Sequence, residues 1–255
     1  MNVQLSLGTI YAFLLVLARV SGLFVFLPLS VFRNAPIVVR AALTFLTTIA
    51  LYPAWPHLPD VSHSVGQLAG WALSEMGFGL VSGLAVGLLN EGFQIGAQVL
   101  GMPAGFGYAQ TIDPASQADS SILQVITALM TGLLFFSLGL DGHLLRILAA
   151  SLEKHPAGSW SISTASLESV IQLGAGMFSL GVRVALPVIA LLLLLDVALA
   201  LLGRMQQQLH LLSLAFPVKM IAALGVLIAI APLMPKLFSG AAMRTMNALR
   251  HVAVF

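Results

Sequence analysis

Residues 65–100 form a run of 36 positions in which the only charges are Glu75 and Glu91. A second run of 36, residues 167–202, is as apolar and carries Glu168, Arg183 and Asp196. As α-helices, each would extend for about 54 Å, nearly twice the ~30 Å hydrocarbon core of a bilayer. Such segments either protrude from a membrane or fold as hairpins or kinked pairs. Pro187 is the expected break in the second. Four further apolar blocks occupy 5–31, 37–55, 122–140 and 211–238. Pro36 opens the block at 37, and the proline-rich stretch 53–59 closes it, as helix punctuation should. The pattern predicts an all-α fold of polytopic, membrane-type helical hairpins built from about six apolar blocks, two of them over-long.

Composition settles the broad class. Of 255 residues, 59% are hydrophobic and 8% charged, against about 25% charged in ordinary soluble domains. Too few polar side chains exist to cover a water-facing surface, which excludes a soluble enzyme and equally excludes disorder. The 11 basic and 9 acidic residues form no Lys/Arg cluster able to meet a phosphate backbone, so no nucleic-acid partner is expected. With no cysteine, the chain has no disulfides, thiolate metal sites or cysteine lipidation. The first six residues lack a positive n-region and the apolar stretch behind them runs to Val31. The first helix is therefore expected to stay in the mature protein.

Three connections are distinctive. Residues 101–121 hold four glycines or prolines in their first seven positions and no basic residue. Residues 153–166 are polar and serine-rich, and the tail 239–255, with Arg244 and Arg250, suits a short interfacial helix. Sorted over six simple spans, the basic residues divide five against four, so the positive-inside rule gives no orientation and unusual insertion is expected.

Arg19, Glu75, Arg183, Asp196 and Lys219 lie inside apolar blocks. At the centre of a bilayer each costs on the order of 3 kcal/mol even on a lenient scale. They must face protein or water, either paired within the chain or against partner subunits. Arg19 and Glu75 are expected to pair across helices. In the block at 65–100, Glu75, Gly79, Gly83, Gly87 and Glu91 recur every four residues. Gly79, Gly83 and Gly87 on that stripe would let a second helix approach closely. Asn90, Gln94 and Gln98 make an adjacent i, i+4 series. With Glu75 and Glu91 they suggest a polar lining or interface at one end and tight packing at the other.

Catalytic patterns are missing: no phosphate-binding loop, no HExxH, no dinucleotide fingerprint. His143 reads as a hydrogen-bonded structural residue. Ser82 sits in LVSG, short of the first glycine of a nucleophile turn, and Asp141 and Asp196 lack the setting of an aspartyl dyad. No enzyme activity, cofactor or metal ion is expected.

Local patterns then fall in a recognisable order. They begin with Ala18-Arg19, Pro28, Pro36 and Arg40, and continue with Glu75, Gly79, Gly83, Gln98, Gly101, Gly105-Phe106-Gly107 and Asp113-Pro114. Next come Asp141-Gly142-His143, Ser151 and Pro156, and finally Pro187, Gly203-Arg204, Gln208 and Phe216-Pro217-Val218-Lys219. In order and spacing, over nearly the whole chain, this resembles the FliR family of flagellar export-gate proteins and their type III secretion relatives. The sequence departs from the family at 207–212, where Gln207-Gln208-Leu209-His210-Leu211-Leu212 stands in place of a Pro-Gln-led stretch with an asparagine and a phenylalanine.

The resemblance implies a multi-pass component of the bacterial inner membrane, in the flagellar basal body. It implies assembly with several FliP-like and FliQ-like subunits in a hetero-oligomeric ring, contact with an FlhB-like protein, and passage of unfolded export substrates. By the same resemblance the chain is a single domain, 1–255, FliP-like to about residue 200 and FliQ-like over 201–255. An idle gate must hold ions back, and apolar side chains at a constriction do so by dewetting and contact. The glycine-rich stretch 101–113 is the candidate plug, with Met102, Phe106 and Tyr108 as its bulky residues; anchoring of the loop by the two aromatics is the alternative. Asp113-Pro114 is expected to form an Asx-type turn at the loop's exit. Two other functions stay open: a small-solute secondary transporter or channel using Asn90, Glu91, Gln94 and Gln98, and a membrane scaffold without a conduit.

Overall fold

The computed structural model describes residues 6–27, 36–59, 61, 64–106, 122–155, 158–161, 164–205 and 211–254. Among these, every regular element is helical: α1 Leu7–Phe26, α2 Ile37–Ala50, α3 Val65–Gly101, α4 Ile122–Ser137, α5 Leu140–Lys154, α6 Thr164–Met205, α7 Leu211–Ile230 and α8 Met234–Val254. Single 3₁₀ turns follow α2 (Tyr52–Ala54) and α7 (Ala231–Leu233).

The helix starts are written in polar side chains. Ser6 caps α1 by accepting from the Thr9 N–H at 3.2 Å. Ahead of α3, Ser64 and Gln67 form a reciprocal capping box: the Gln67 N–H donates to Ser64 Oγ and the Ser64 N–H to Gln67 Oε1, both at 3.3 Å. Pro36 precedes α2. Gly139, at φ +63°, takes the left-handed turn that separates α4 from α5, and His143 closes it, its Nδ1 donating to the Gly139 carbonyl at 3.0 Å.

Both over-long blocks are single helices. α3 runs unbroken for 37 residues and α6 for 42, which is about 56 Å and 63 Å. The break expected at Pro187 does not occur, because α6 continues through it. A proline removes one intrahelical hydrogen bond, and where the flanking sequence is uniformly apolar no alternative partner competes for the helical backbone around it.

The count of spans also changes. Among the described residues, four segments are long and apolar enough to cross a membrane: Leu7–Phe26, Val65–Gly101, Ser166–Met205 and Ala215–Val252. A fifth is available if α4 and α5 act together. α2, at 14 residues or about 21 Å, is too short. α5 was not among the apolar blocks, because its sequence is amphipathic, with Asp141, Arg146 and Glu153 on one helix. The tail is helical to Val254.

The chain packs as two compact units. The first comprises Met1–Leu89, Phe135–Gly174 and Ala241–Phe255. It buries Val16, Val20 and Leu23 of α1, Phe78 and Val86 of α3, Leu144 and Leu148 of α5, and Met246 and Leu249 of α8. The second comprises Asn90–Leu134 and Ala175–Gly240, around a core of Ala97, Leu100, Ala104, Leu123, Ala185, Val188, Leu192 and Ala223.

Candidate functional site

In the first unit α1 crosses α3 almost backbone to backbone, and glycine is what permits it. A methyl group added at Gly79 would meet the Arg19 carbonyl, one at Gly83 the Leu23 carbonyl, and one at Gly22 the Met76 carbonyl. Gly87 lies one step further along the same stripe, 3.1 Å from the Phe26 carbonyl oxygen by the same measure. With no Cβ in the way, the two helices approach until main chains touch.

That approach brings Arg19 onto Glu75, the partner expected for it. Both side chains are 1% exposed, and Arg19 Nε donates to Glu75 Oε2. Arg19 Nη1 donates to Ser151 Oγ of α5 at 2.7 Å, and Ser151 donates in turn to the Leu148 carbonyl at 2.6 Å. The second oxygen of Glu75 accepts from the Gly158 N–H at 3.0 Å. The guanidinium stands over the Phe78 ring, 4.7 Å from its centroid, which offsets part of its desolvation. Nη2 has no hydrogen-bond partner among the described residues.

The pair therefore ties together α1, α3, α5 and the strap at 158–161. That strap is further held by Ser74, whose hydroxyl donates to the Trp160 carbonyl, and by Trp160, stacked edge-on against Phe78 at 5.7 Å. Gly158 sits at φ +76° hard against Trp71. Sequence reasoning singled out Arg19 and Glu75 but not Ser151, Gly158 or Trp160 as their support. Ser151 did stand in the ordered family pattern, and it lies on the buried face of α5.

In the second unit the polar series on α3 divides. Asn90 accepts from Thr131 Oγ1 of α4 at 2.6 Å. With its amide nitrogen turned to the Gln124 carbonyl, Gln94 donates there at 3.2 Å and accepts from the Ala128 N–H at 3.1 Å. Both amides are thus spent on joining α3 to α4, as buried polar groups in an apolar setting must be. Glu75 is likewise enclosed in the first unit. Of the five residues read as a lining or interface, Glu91 and Gln98 are the exposed ones. Further glycines extend close packing into this unit. Gly92 and Gly96 of α3 lie against Gly181 of α6, where an added Cβ at Gly181 would stand 2.9 Å from the Gly92 oxygen. Their own GxxxG spacing was a legible signal for this contact.

The candidate plug begins as a helix cap. Gly105, at φ +87°, donates to the Met102 carbonyl at 3.1 Å, and the Phe106 N–H reaches back to the Gly101 carbonyl at 3.0 Å. This 5→2 and 6→1 pair is a Schellman closure with Gly105 at C′. Phe106 packs against the second-unit core, whereas Met102 is 78% exposed. Tyr108, Asp113 and Pro114 lie outside the described residues, as does 206–210 with most of the stretch that departs from the family pattern. Of the remaining charges, Lys219 pairs with Asp196 between α7 and α6, and Arg183 is exposed on α6.

The sequence matches the model of a protein family described as bacterial export proteins, family 1, over residues 10–245. Curated relatives named flagellar biosynthetic protein FliR are similar over most of their length. The Escherichia coli K12 protein is 28% identical over 222 residues, 85% of this chain and 83% of that protein. The Bacillus subtilis protein is 27% identical over 222 residues, 85% of each. The Aquifex aeolicus protein is 27% identical over 198 residues, 78% and 76%.

Proposed function

The chain belongs to the bacterial export proteins, family 1, and from that premise we propose that it serves flagellar protein export as one subunit of a hetero-oligomeric channel in the bacterial inner membrane. The observation that carries this reading is the family match over 10–245 together with FliR relatives aligned across most of the chain. In this reading several FliP-like and FliQ-like subunits complete the helical ring, an FlhB-like protein contacts it, and unfolded flagellar substrates pass through. Residues to about 200 supply the FliP-like part and 201–255 the FliQ-like part. This division by likeness differs from the division by packing, in which both units draw on several stretches of chain.

The geometry supports separate tasks for its parts. The Arg19–Glu75 clasp and the glycine crossing give the subunit a rigid frame, since buried charges so fully enclosed resist rearrangement. Met102, exposed at the end of α3 beside a fixed cap, is the described residue best placed to project toward a constriction. Phe106 anchors that cap, and Tyr108 follows it in sequence. Glu91, Gln98 and Arg183, exposed on otherwise apolar helices, are the candidates for contact with a wet lumen or a neighbouring subunit.

The test is native mass spectrometry of the tagged chain, extracted gently from cells that express its natural neighbours. A complex holding several copies of two small membrane proteins is expected. A stable monomer or homodimer would overturn the reading and direct attention to solute flux in liposomes, the transporter alternative.

A further inference from the structure

Inside the second unit, the two ends of the segment Phe216-Pro217-Val218-Lys219 make separate contacts. Phe216 lies against the cap that ends α3: a Cβ at Gly105 would stand 3.1 Å from Phe216 Cδ1 and 3.9 Å from Met220 Cγ. The ring thus fills the notch that a glycine at φ +87° leaves open. Beside it the buried Ala104 shares the core with Ala223 of α7. Lys219, about one turn beyond Phe216, pairs with Asp196 of α6. Phe216, Lys219, Met220 and Ala223 fall at i, i+3, i+4 and i+7, so one face of α7 carries both contacts.

What fixes that face is the charge pair. Lys219 is the only charge in α7, and Asp196 the only one on α6 between residues 184 and 203. Both stretches are otherwise almost wholly aliphatic. Aliphatic faces pack nearly as well one turn out of step, about 5.4 Å along the axis. A lone charge on each helix meets its partner in one register only, which is the best-attested use of an ion pair between apolar helices. Pro217 sharpens the dependence, since it removes an intrahelical hydrogen bond from the turn that holds Phe216 and leaves side-chain contacts to place it. A slip of one turn would part Lys219 from Asp196 and carry Phe216 off Gly105. We propose that Asp196 and Lys219 are positioning residues: they set the register of α7 on α6, seat Phe216 against Gly105, and so hold the cap carrying Met102 in its sealing position. The inference rests on the role proposed for Met102 at the constriction.

Because the chain has no cysteine of its own, spin-label pairs can be placed in the full protein and their distances measured in mild detergent. Met102→Cys with Leu201→Cys reports the cap, and Ile228→Cys with Leu201→Cys the register of α7; all three positions are exposed. The decisive variant is Asp196→Leu with Lys219→Leu, which strands no charge and so keeps the fold but removes the pin. Both distance distributions should then broaden by about 5 Å, one helical turn. The charge swap, Asp196→Lys with Lys219→Asp, should narrow them again. Phe216→Ala should broaden the cap distribution alone. A pair that only stabilised the fold would leave both distributions narrow in the double-leucine variant, and that result overturns the proposal. A broadened register with an unmoved cap overturns it as well. Built without labels into the assembled channel, the double-leucine and Phe216→Ala variants should raise ion leak several-fold in planar bilayers. A loosened cap without leak would leave the coupling intact and overturn instead the sealing role of Met102.

Discussion

Replacing Gly79 by alanine puts a number on the closeness of α1 and α3. A Cβ there would stand 2.9 Å from the Leu23 nitrogen, 3.0 Å from the Arg19 carbonyl carbon, and nearer still to the Arg19 carbonyl oxygen. These are main-chain atoms with no rotamer to yield, so α1 must retreat by about 1 Å, which forfeits a quarter to a half of the dispersion well along the crossing. Overpacking of this kind costs about 1–3 kcal/mol, occasionally more. The retreat also draws Arg19 away from Glu75, and separating a buried pair adds a share of the roughly 3–5 kcal/mol that its rupture costs. Against this, alanine gains about 1 kcal/mol of helix propensity over glycine. The net is a loss of about 2–4 kcal/mol, or a melting temperature lowered by roughly 5–15 °C. Gly70 is the control on the same helix. Its added methyl meets nothing within 4 Å, so Gly70→Ala should stabilise by up to about 1 kcal/mol. Thermal unfolding in mild detergent, with limited trypsin digestion as a second probe, distinguishes the two. If Gly79→Ala melts with Gly70→Ala, the backbone-to-backbone crossing is wrong.

Three further outcomes follow from the geometry. Arg19→Met and Glu75→Leu should each destabilise by about 3–5 kcal/mol, and the double variant by distinctly less, because only the singles strand a buried charge; unfolding of all three measures the coupling, and simple additivity would refute the clasp. Gly158→Ala places a side chain at φ +76° against Trp71 and should cost about 1–3 kcal/mol, read as faster proteolysis near 158–161, whereas an unchanged cleavage rate would show the strap free to adjust. Met102→Ala combined with Tyr108→Ala should raise ion leak through the assembled channel in planar bilayers while assembly persists, and unchanged conductance in an intact assembly would remove these residues from the seal.

What the sequence made legible follows from which physical signals are local. Uniform hydrophobicity announces a long helix regardless of its neighbours, so α3 and α6 were visible in outline. The i, i+4 glycines and the two lone opposite charges are also local patterns, and pairing Arg19 with Glu75 required only that neither be left unpaired in an apolar setting. α5 escaped because its apolar residues lie on one face and its mean hydropathy is ordinary. Pro187 misled because a proline's effect depends on whether anything competes for the backbone it frees. The least legible feature was the fate of Asn90, Gln94 and Gln98. One series in sequence becomes two internal hydrogen-bonding residues and one exposed one, because α4 covers part of the face of α3, and a partner's position is not written in the helix it covers.

That sorting of polar groups argues about the surroundings of the molecule. In the first unit the Arg19–Glu75 pair is buried, and its partners Ser151 and Gly158 lie on the same chain. In the second unit Asp196 keeps 45% of its side chain exposed even while paired with Lys219, and Arg183 is exposed on a helix with Leu186, Leu193 and Leu194 around the same surface. Pure lipid would penalise Arg183 and the open side of Asp196 by a few kcal/mol each. Pure water would penalise the leucines by about 1.5–3 kcal/mol each relative to burial. Neither solvent suits that surface alone, whereas packed helices of other subunits, apolar along their length and polar at one or two positions, satisfy both demands. The outward half of the second unit thus carries the physical case for an assembly, and Arg183→Leu offers its check. In a subunit that works alone in lipid the change should stabilise, and in one built into a ring it should weaken assembly, measured as the fraction of chain co-purifying with its neighbours.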